Sequence, residues 1–310
     1  MTSPPLDITP GAPYDALVIG AGPAGLVGAT YLARYRRHIL VVDGGDSRAE
    51  RIPKSHNVPG FPSGISGPHL LERMRDQAQT AGVRITRGRV TGLSLRDGLF
   101  HAQGLAEPAS ARAVLLATGM SDISVPPDLP EPATWRGLVR WCPICDGYES
   151  SDRRIVLVGE AERGPSHARF LRTYTRDLTL VLTPEGGPPS DEVLAELEAE
   201  GITVVQDLPV AVELSRNSGV LRLQSGRELA FDVLYPMNGG VPHADLAVAL
   251  GARCDDEGHL VVDPLTRQTS IPGLHAAGDV VANLHQICVA TADAALAATA
   301  IHDALPPNPR

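Results

Sequence analysis

The sequence predicts an α/β fold built from two strand–helix–strand units of mononucleotide-binding type. Three observations lead to it. Residues 16–20 (ALVIG) form a short apolar run, followed by a glycine turn, a helical stretch at 23–36 and a second apolar run at 38–43 (HILVVD). The same succession returns with 154–159 (RIVLVG), a helical stretch at 164–175 and 178–182 (LTLVL). At 310 residues the chain is also too long for one ordinary core and suits two domains.

The remaining elements follow in order. Residues 68–82 carry helical spacing through Leu70, Leu71, Met74 and Ala78, and stop at Gly82. Residues 114–117 read as a buried strand closed by Thr118 and Gly119. The stretch 122–132, rich in proline and acid, reads as a linker. Beyond the second unit come a helix at 190–200 and strands near 202–206, 221–224 and 233–235. From about residue 241 strand and helix character resumes, ending in an Ala-rich helix at 290–305.

Composition narrows the function. Hydrophobic residues at 43% and charged residues at 20% describe a soluble globular chain. A formal net charge of −9, no Lys/Arg-rich run and 4% aromatic residues argue against a nucleic-acid partner. No run approaches 18 uncharged apolar residues, so no membrane span is predicted. Residues 1–13 are Pro-rich and polar, without the basic start and apolar run of a secretory signal. They read as a disordered lead-in to a cytoplasmic protein.

Gly20, Gly22 and Gly25 match G-x-G-x-x-G, with Pro23 and Ala24 between the last two. The motif follows a strand and opens a helix, as a dinucleotide site requires. The first glycine makes the tight turn, the second admits a pyrophosphate to the backbone, and the third lets helix and strand pack closely. Asp43 ends the next strand and can accept from ribose hydroxyls. In the second unit the corresponding residues are Gly159, Ala161 and Gly164. A methyl group stands where a phosphate would touch backbone, and Glu160 and Glu162 place negative charge near that helix N-terminus. Residues 183–187 (TPEGG) hold no arginine pair for a 2′-phosphate. The second unit reads as a Rossmann-like domain without NADPH.

Cys142 and Cys145 form a C-x-x-C followed by Asp146. Two cysteines at this spacing can close a readily exchanged disulfide, and Asp146 can shuttle a proton to a leaving thiolate. The rival reading is half of a zinc site. It needs two more ligands in a matching knuckle, and Cys254 and Cys288 lack paired spacing. Those two read as inert core or loop residues.

Together these residues resemble the low-molecular-weight thioredoxin reductase family of flavoproteins over nearly the whole chain. Residues 20–25 match its FAD pyrophosphate loop, and 56–62 (HNVPGFP) with 64–68 (GISGP) match its flavin-proximal segment, in which Asn57 lies near the FAD. Residues 117–119 (ATG) match the domain crossover, and 142–147 match C-x-x-C-D-G. Residues 277–279 (AGD, with Gly278 at its centre) match the cofactor-binding motif whose aspartate, Asp279, binds the flavin ribityl chain. His285, Gln286 and Ile287 match the segment along the isoalloxazine. The resemblance implies a discontinuous FAD domain, residues 1–117 and 243–310, with an NADPH-domain-like insert at 118–242 that carries the C-x-x-C. It implies that Cys145 lies nearer the flavin, that Cys142 attacks the partner, and that the protein is a homodimer.

The departures from the family matter as much. Its nicotinamide motif and basic 2′-phosphate cluster are degraded here. Some relatives share that loss: ferredoxin-linked enzymes, a diflavin type with a second FAD in place of NADPH, and dithiol oxidases that use oxygen. The oxidases often follow C-x-x-C with His-Gly-Tyr-Glu; here Asp146 replaces the histidine, while Tyr148 and Glu149 are kept. The aromatic C-terminal tail of some ferredoxin-linked relatives has no counterpart in 305–310 (LPPNPR). The expected function is an FAD-dependent thiol–disulfide oxidoreductase acting on a thioredoxin-like protein or small dithiol, with ferredoxin or a second FAD rather than NADPH as electron source. The alternatives are a dithiol oxidase of a small molecule and a flavin-bearing redox sensor without turnover.

Overall fold

The computed structural model describes residues 12–309 except 127, 128, 130, 131, 185, 186 and 188. Most of the lead-in 1–13, and parts of the 122–132 linker and of 183–187, lie outside the described residues. In chain order the elements are β1 (Tyr14–Ile19), α1 (Pro23–Arg34), β2 (Ile39–Asp43), α2 (Gly67–Thr80), β3 (Arg84–Arg87), β4 (Gly92–Arg96), β5 (Leu99–Gln103), β6 (Ala109–Leu116) and β7 (Met120–Asp122). Then come α3 (Pro132–Trp135), α4 (Pro143–Asp146), β8 (Ile155–Gly159), α5 (Gly164–Leu171), β9 (Leu178–Leu182), α6 (Asp191–Ala199) and β10 (Thr203–Gln206). The chain closes with β11 (Pro209–Leu214), β12 (Gly219–Leu223), β13 (Glu228–Phe231), β14 (Val233–Met237), β15 (Gly240–Pro242), α7 (Asp245–Val248), β16 (Leu274–Ala276) and α8 (Ile287–Ala304).

The chain divides into two compact units. Unit 1 holds residues 1–50, 66–121 and 241–310; unit 2 holds 51–65 and 122–240. The sequence reading assigned 51–65 to the first domain, whereas the structure groups it with unit 2. The chain passes between the units at 50/51, 65/66, 121/122 and 240/241.

In unit 1 the strands run β3-β2-β1-β6, all parallel. The antiparallel β5–β4 hairpin pairs with the first half of β6, and β16 pairs parallel with its second half. The hairpin turns on Asp97 and Gly98, both in the left-handed region (φ 51° and 74°), where a mirror-image turn matches the strand twist. Leu17, Leu40, Val42, Phe100, Val114 and Leu116 belong to one core.

Unit 2 has a four-stranded parallel sheet, β10-β9-β8-β14, and a three-stranded antiparallel sheet, β11-β12-β13, among the described residues. Strand β8 is apolar throughout because both its faces are covered. Ile155 and Leu157 enter one core with Tyr235, while Val156 and Val158 enter another with Leu234.

Several boundaries differ from the sequence reading, among them those of three helices. Helix α5 ends at Leu171 because the following residues are taken up by other bonds: Thr175 Oγ1 donates to Arg153 O (2.6 Å), and Arg172 Nη1 donates to Thr175 O (2.7 Å). Helix α6 starts after Ser190, whose hydroxyl accepts from Val193 N–H (3.3 Å). Helix α8 begins at Ile287 and, by length and composition, is apolar enough to cross a membrane. Ala294 and Ala297 are buried, and Asp293 in its middle is buried on Arg267 (2.9 Å). It packs against α1, where a Cβ on Gly28 would stand 3.7 Å from Ala294 Cβ.

Candidate active site

The glycine turn after β1 is tight for a steric reason. Gly20 has φ +108°, and a Cβ there would lie 2.2 Å from Ala117 O. A Cβ on Gly25 would lie 1.9 Å from Gly20 O. Gly22 precedes α1 with extended backbone, and a Cβ there would meet only Ser47 Oγ, at 3.2 Å. Pro23 opens α1 and no side chain caps it, so the N-terminal amides are not consumed by a side-chain cap. That geometry suits an anion.

Of the other predicted residues of unit 1, the crossover segment and Gly278 pack against this turn. Ala117 N–H donates to Ile19 O (2.8 Å), which sets Thr118 and Gly119 directly beyond β6. Thr118 Oγ1 donates to His243 O (2.7 Å), tying the two crossover segments together. A Cβ on Gly278 would stand 3.1 Å from Ala24 Cβ and 3.6 Å from Ala290 Cβ, so Gly278 sits against the start of α1 and of α8. Asp43, at the tip of β2, accepts from Gly45 N–H (2.8 Å) and pairs with Arg75 (3.1 Å) and Arg87 (3.5 Å). Asp279 pairs with Arg48 (3.0 Å). Gln286 precedes α8, and its Nε2 donates to His285 O (3.0 Å); Ile287 is the first residue of α8.

His285 carries the more telling observation. Its ring packs against His259 with centroids 5.1 Å apart, and the Nε2 atoms of both rings are buried without a hydrogen-bond partner. Burial holds the His285 imidazole below its usual pKa, with the Asp279 charge pulling the other way. Buried polar nitrogens seldom go unmatched. Together with a glycine cradle that any Cβ would fill, they fit the dinucleotide the resemblance implies. His259 and the arginines Arg48, Arg75 and Arg87 were not foreseen. Asn57 is exposed and belongs to unit 2, where its Oδ1 accepts from Ser55 Oγ (2.8 Å). The structure does not group it with the glycine turn.

The second turn has a different build. Gly159 is not among the glycines with positive φ. A Cβ on Gly159 would stand 3.2 Å from Gly164 Cα, and one on Gly164 would stand 3.1 Å from Leu182 Cδ2. The glycine pair serves strand–helix packing. Ala161 and Glu160 are half-buried, and Glu162 is exposed. At the carboxyl ends of β9 and β14, Thr183 Oγ1 and both polar atoms of the Asn238 side chain are buried without partners.

Cys142 and Cys145 form a disulfide, with their Cα atoms 5.3 Å apart. Both are half-buried. Cys142 caps the short helix α4, and its Sγ accepts from Cys145 N–H at 3.1 Å. A donor aimed at this sulfur favours negative charge on it once the bond opens. Asp146 follows directly. Its carboxylate pairs with Arg140 (3.2 Å) and accepts from Tyr235 Oη (2.9 Å). Burial pushes its pKa up, while Arg140 and the Tyr235 hydrogen bond pull it down. The backbone brings these residues together: Val139 bridges to Leu234, and Arg140 N–H donates to Leu234 O (2.9 Å), so β14 runs alongside the approach to Cys142. Cys254 is half-buried and Cys288 exposed, both outside this site.

The family model described as pyridine nucleotide-disulphide oxidoreductase matches residues 14–299. A thioredoxin reductase of Mycolicibacterium smegmatis is 31% identical, over 92% of this chain and 94% of that protein. A thioredoxin reductase of Treponema pallidum is also 31% identical, over 93% and 95% respectively. Among solved structures, the thioredoxin reductase of Streptococcus pyogenes superposes with a TM-score of 0.85 at 25% identity, covering 94% of this chain and 98% of that one. The chain belongs to the pyridine nucleotide-disulphide oxidoreductase family, as a thioredoxin reductase-like flavoprotein and a flavin-dependent disulfide oxidoreductase.

Proposed function

We propose that this protein moves electrons between FAD held in unit 1 and the Cys142–Cys145 pair, exchanges them with a dithiol partner of thioredoxin type, and does not draw them from NADPH. The Cys142–Cys145 disulfide beside Asp146 carries the reading. The relatives' names supply the partner class. FAD gives or accepts two electrons, which is what a disulfide–dithiol couple exchanges. The residues for it are Gly20, Gly22, Pro23, Ala24 and Gly25 at the pyrophosphate, Asp43 at the ribose, Asp279 at the ribityl chain, and His285 to Ile287 beside the ring.

Reduction breaks the S–S bond and takes up two electrons and two protons. Asp146 holds a proton for the thiolate that leaves, and Cys145 N–H steadies charge on Cys142. The Cys142 thiolate then attacks a partner disulfide and forms a mixed disulfide, releasing one partner thiolate. Cys145 attacks Cys142 Sγ in turn, which frees the second partner thiol and restores the original bond.

The contrast between the two turns supports this reading of the donor. Ala161, Glu160 and Glu162 oppose a pyrophosphate at α5, and each loss weakens phosphate binding by about 1–3 kcal/mol. Together they weaken NADPH by roughly a hundredfold or more. Purified protein should be yellow without added flavin. Under anaerobic conditions dithiothreitol or a reduced ferredoxin should bleach it, and micromolar NADPH should not. Rapid stoichiometric bleaching by NADPH would overturn the donor assignment.

A second reading of the donor has its own observation. Thr183 and Asn238 leave buried polar atoms unmatched at the carboxyl edge of the unit 2 sheet, where α/β sheets receive ligands. A second FAD needs no 2′-phosphate pocket, and Arg163, which precedes α5, is the cation nearest in sequence for its pyrophosphate. A flavin-to-chain ratio near two supports it, and a ratio near one leaves a protein donor.

A further inference from the structure

Asp146 can serve a disulfide only if it is held stably in both protonation states. A group that gains and loses a proton in a buried setting needs a donor when charged and an acceptor when neutral. Tyr235 and Ser150 stand behind it, each 0% exposed, so solvent does not reach their hydroxyls and they must find partners in one another and in Asp146. Tyr235 Oη is 2.9 Å from Asp146 Oδ1 and 2.9 Å from Ser150 Oγ. Ser150 Oγ is in turn 3.2 Å from the carbonyl oxygen of Asp146 itself.

We infer that Tyr235 and Ser150 are positioning residues for Asp146, forming a closed hydrogen-bond chain that reverses direction when Asp146 is protonated or deprotonated. The inference rests on the reading of Asp146 as the proton carrier of the disulfide. With Asp146 charged, Tyr235 O–H donates to Oδ1 and Ser150 O–H donates to Tyr235 Oη. With Asp146 protonated on Oδ1, its O–H donates to Tyr235 Oη, Tyr235 O–H turns to Ser150 Oγ, and Ser150 O–H turns to Asp146 O. Each hydroxyl keeps one proton and no heavy atom moves. Arg140 stays in place in both states, its Nη1 3.2 Å from Oδ2 and 3.3 Å from Asp146 O, and covers that carbonyl whenever Ser150 turns away.

The surroundings keep the chain in this register. Burial, and then the Asp146 charge, drive the Tyr235 phenol above its ordinary pKa, so Tyr235 stays a donor throughout and only changes partner. The charged groups facing Asp146 are Arg140 from the segment before α4 and Glu149 from the turn after it; Tyr235 from β14 completes the set. Arg140 favours the anion and Glu149 opposes it. Nothing in the local sequence announces Tyr235, which lies 89 residues from Asp146.

The test is the pH dependence of disulfide exchange with dithiothreitol in the FAD-loaded protein. Thiol ionisation contributes to every profile, so the Asp146 limb is the one that Asp146→Asn removes. Tyr235→Phe keeps the ring and deletes both the donor to the charged form and the acceptor for the neutral one; the bond to the charged form is the stronger, so the limb should move to higher pH. Ser150→Ala removes one bond of the charged form and two of the neutral form, so it should move the limb the opposite way, to lower pH. Ser150→Ala also provides the test should Tyr235→Phe not fold. A limb that stays in place in a folded Tyr235→Phe protein, or in Ser150→Ala if that is the only one to fold, overturns the chain while leaving Asp146 as carrier. An unchanged profile in Asp146→Asn overturns the carrier itself, a distinct outcome.

Discussion

A Cys145→Ser protein is expected to fold, to bind FAD, and to lose disulfide exchange by at least about a thousandfold. A serine hydroxyl can neither close the bond to Cys142 nor resolve a mixed disulfide. The exchange of one atom at a half-buried position leaves the helix cap intact, since it is the backbone N–H of residue 145 that meets Cys142 Sγ. Losing so short a bridge costs about 2 kcal/mol on a loop-closure estimate, small against the roughly 5–15 kcal/mol of a stable domain. The free Cys142 thiolate still attacks a partner disulfide, and nothing then displaces it. Non-reducing mass spectrometry after mixing with an oxidised thioredoxin-like protein should therefore find a trapped adduct. Cys142→Ser leaves Cys145 without that N–H donor and should trap little. Normal turnover in either variant removes the pair from the mechanism, and an adduct on Cys142→Ser alone reverses the two roles.

The sequence made the parallel framework legible because strands buried on both faces are written as unbroken apolar runs. Residues 16–19, 39–43, 155–159 and 178–182 all lie within strands of the structure. The antiparallel parts were harder to read. Strands β4 and β5 are short and mix Arg, Ser and His with leucine, so neither stands out as a run. The Asp97–Gly98 turn between them was a readable hairpin signal. Residues 51–65 show a different limit. Their motif likeness points to a flavin segment, yet grouping within a unit depends on long-range packing that no local pattern encodes.

The site divides the same way. Cys142, Cys145 and Asp146 are adjacent in sequence, so their chemistry could be read directly. Gly20, Gly22 and Gly25 carry a spacing that physics restricts to very few backbones. The groups that hold these residues are scattered: Arg75 and Arg87 on Asp43, Arg48 on Asp279, His259 on His285, Tyr235 on Asp146. Each is an ordinary residue until the fold supplies its partner. Arg140 was the one with a local signal, a cation two residues before the C-x-x-C.

Two single-methyl variants of the first turn should separate fold from cofactor. Gly25→Ala places a Cβ 1.9 Å from Gly20 O, and that atom is backbone, which cannot swing aside as a side-chain tip can. Its carbonyl must retreat by more than a bond length, and the turn opens. The expected cost is about 3 kcal/mol or more, read as a melting temperature lower by several degrees together with loss of FAD. Gly22→Ala meets only Ser47 Oγ at 3.2 Å, a side-chain tip that can move, so the fold should persist. Its methyl group nevertheless stands where the pyrophosphate approaches. FAD affinity should fall roughly tenfold to a hundredfold with little change in melting temperature. This variant gives the first turn what the second has natively in Ala161. The reverse change, Ala161→Gly, should not by itself create an NADPH site, because Gly159 lacks the left-handed turn of Gly20 and Glu160 and Glu162 remain. An FAD dissociation constant unchanged in Gly22→Ala would detach the glycine turn from the cofactor, and with it the reasoning applied to Ala161.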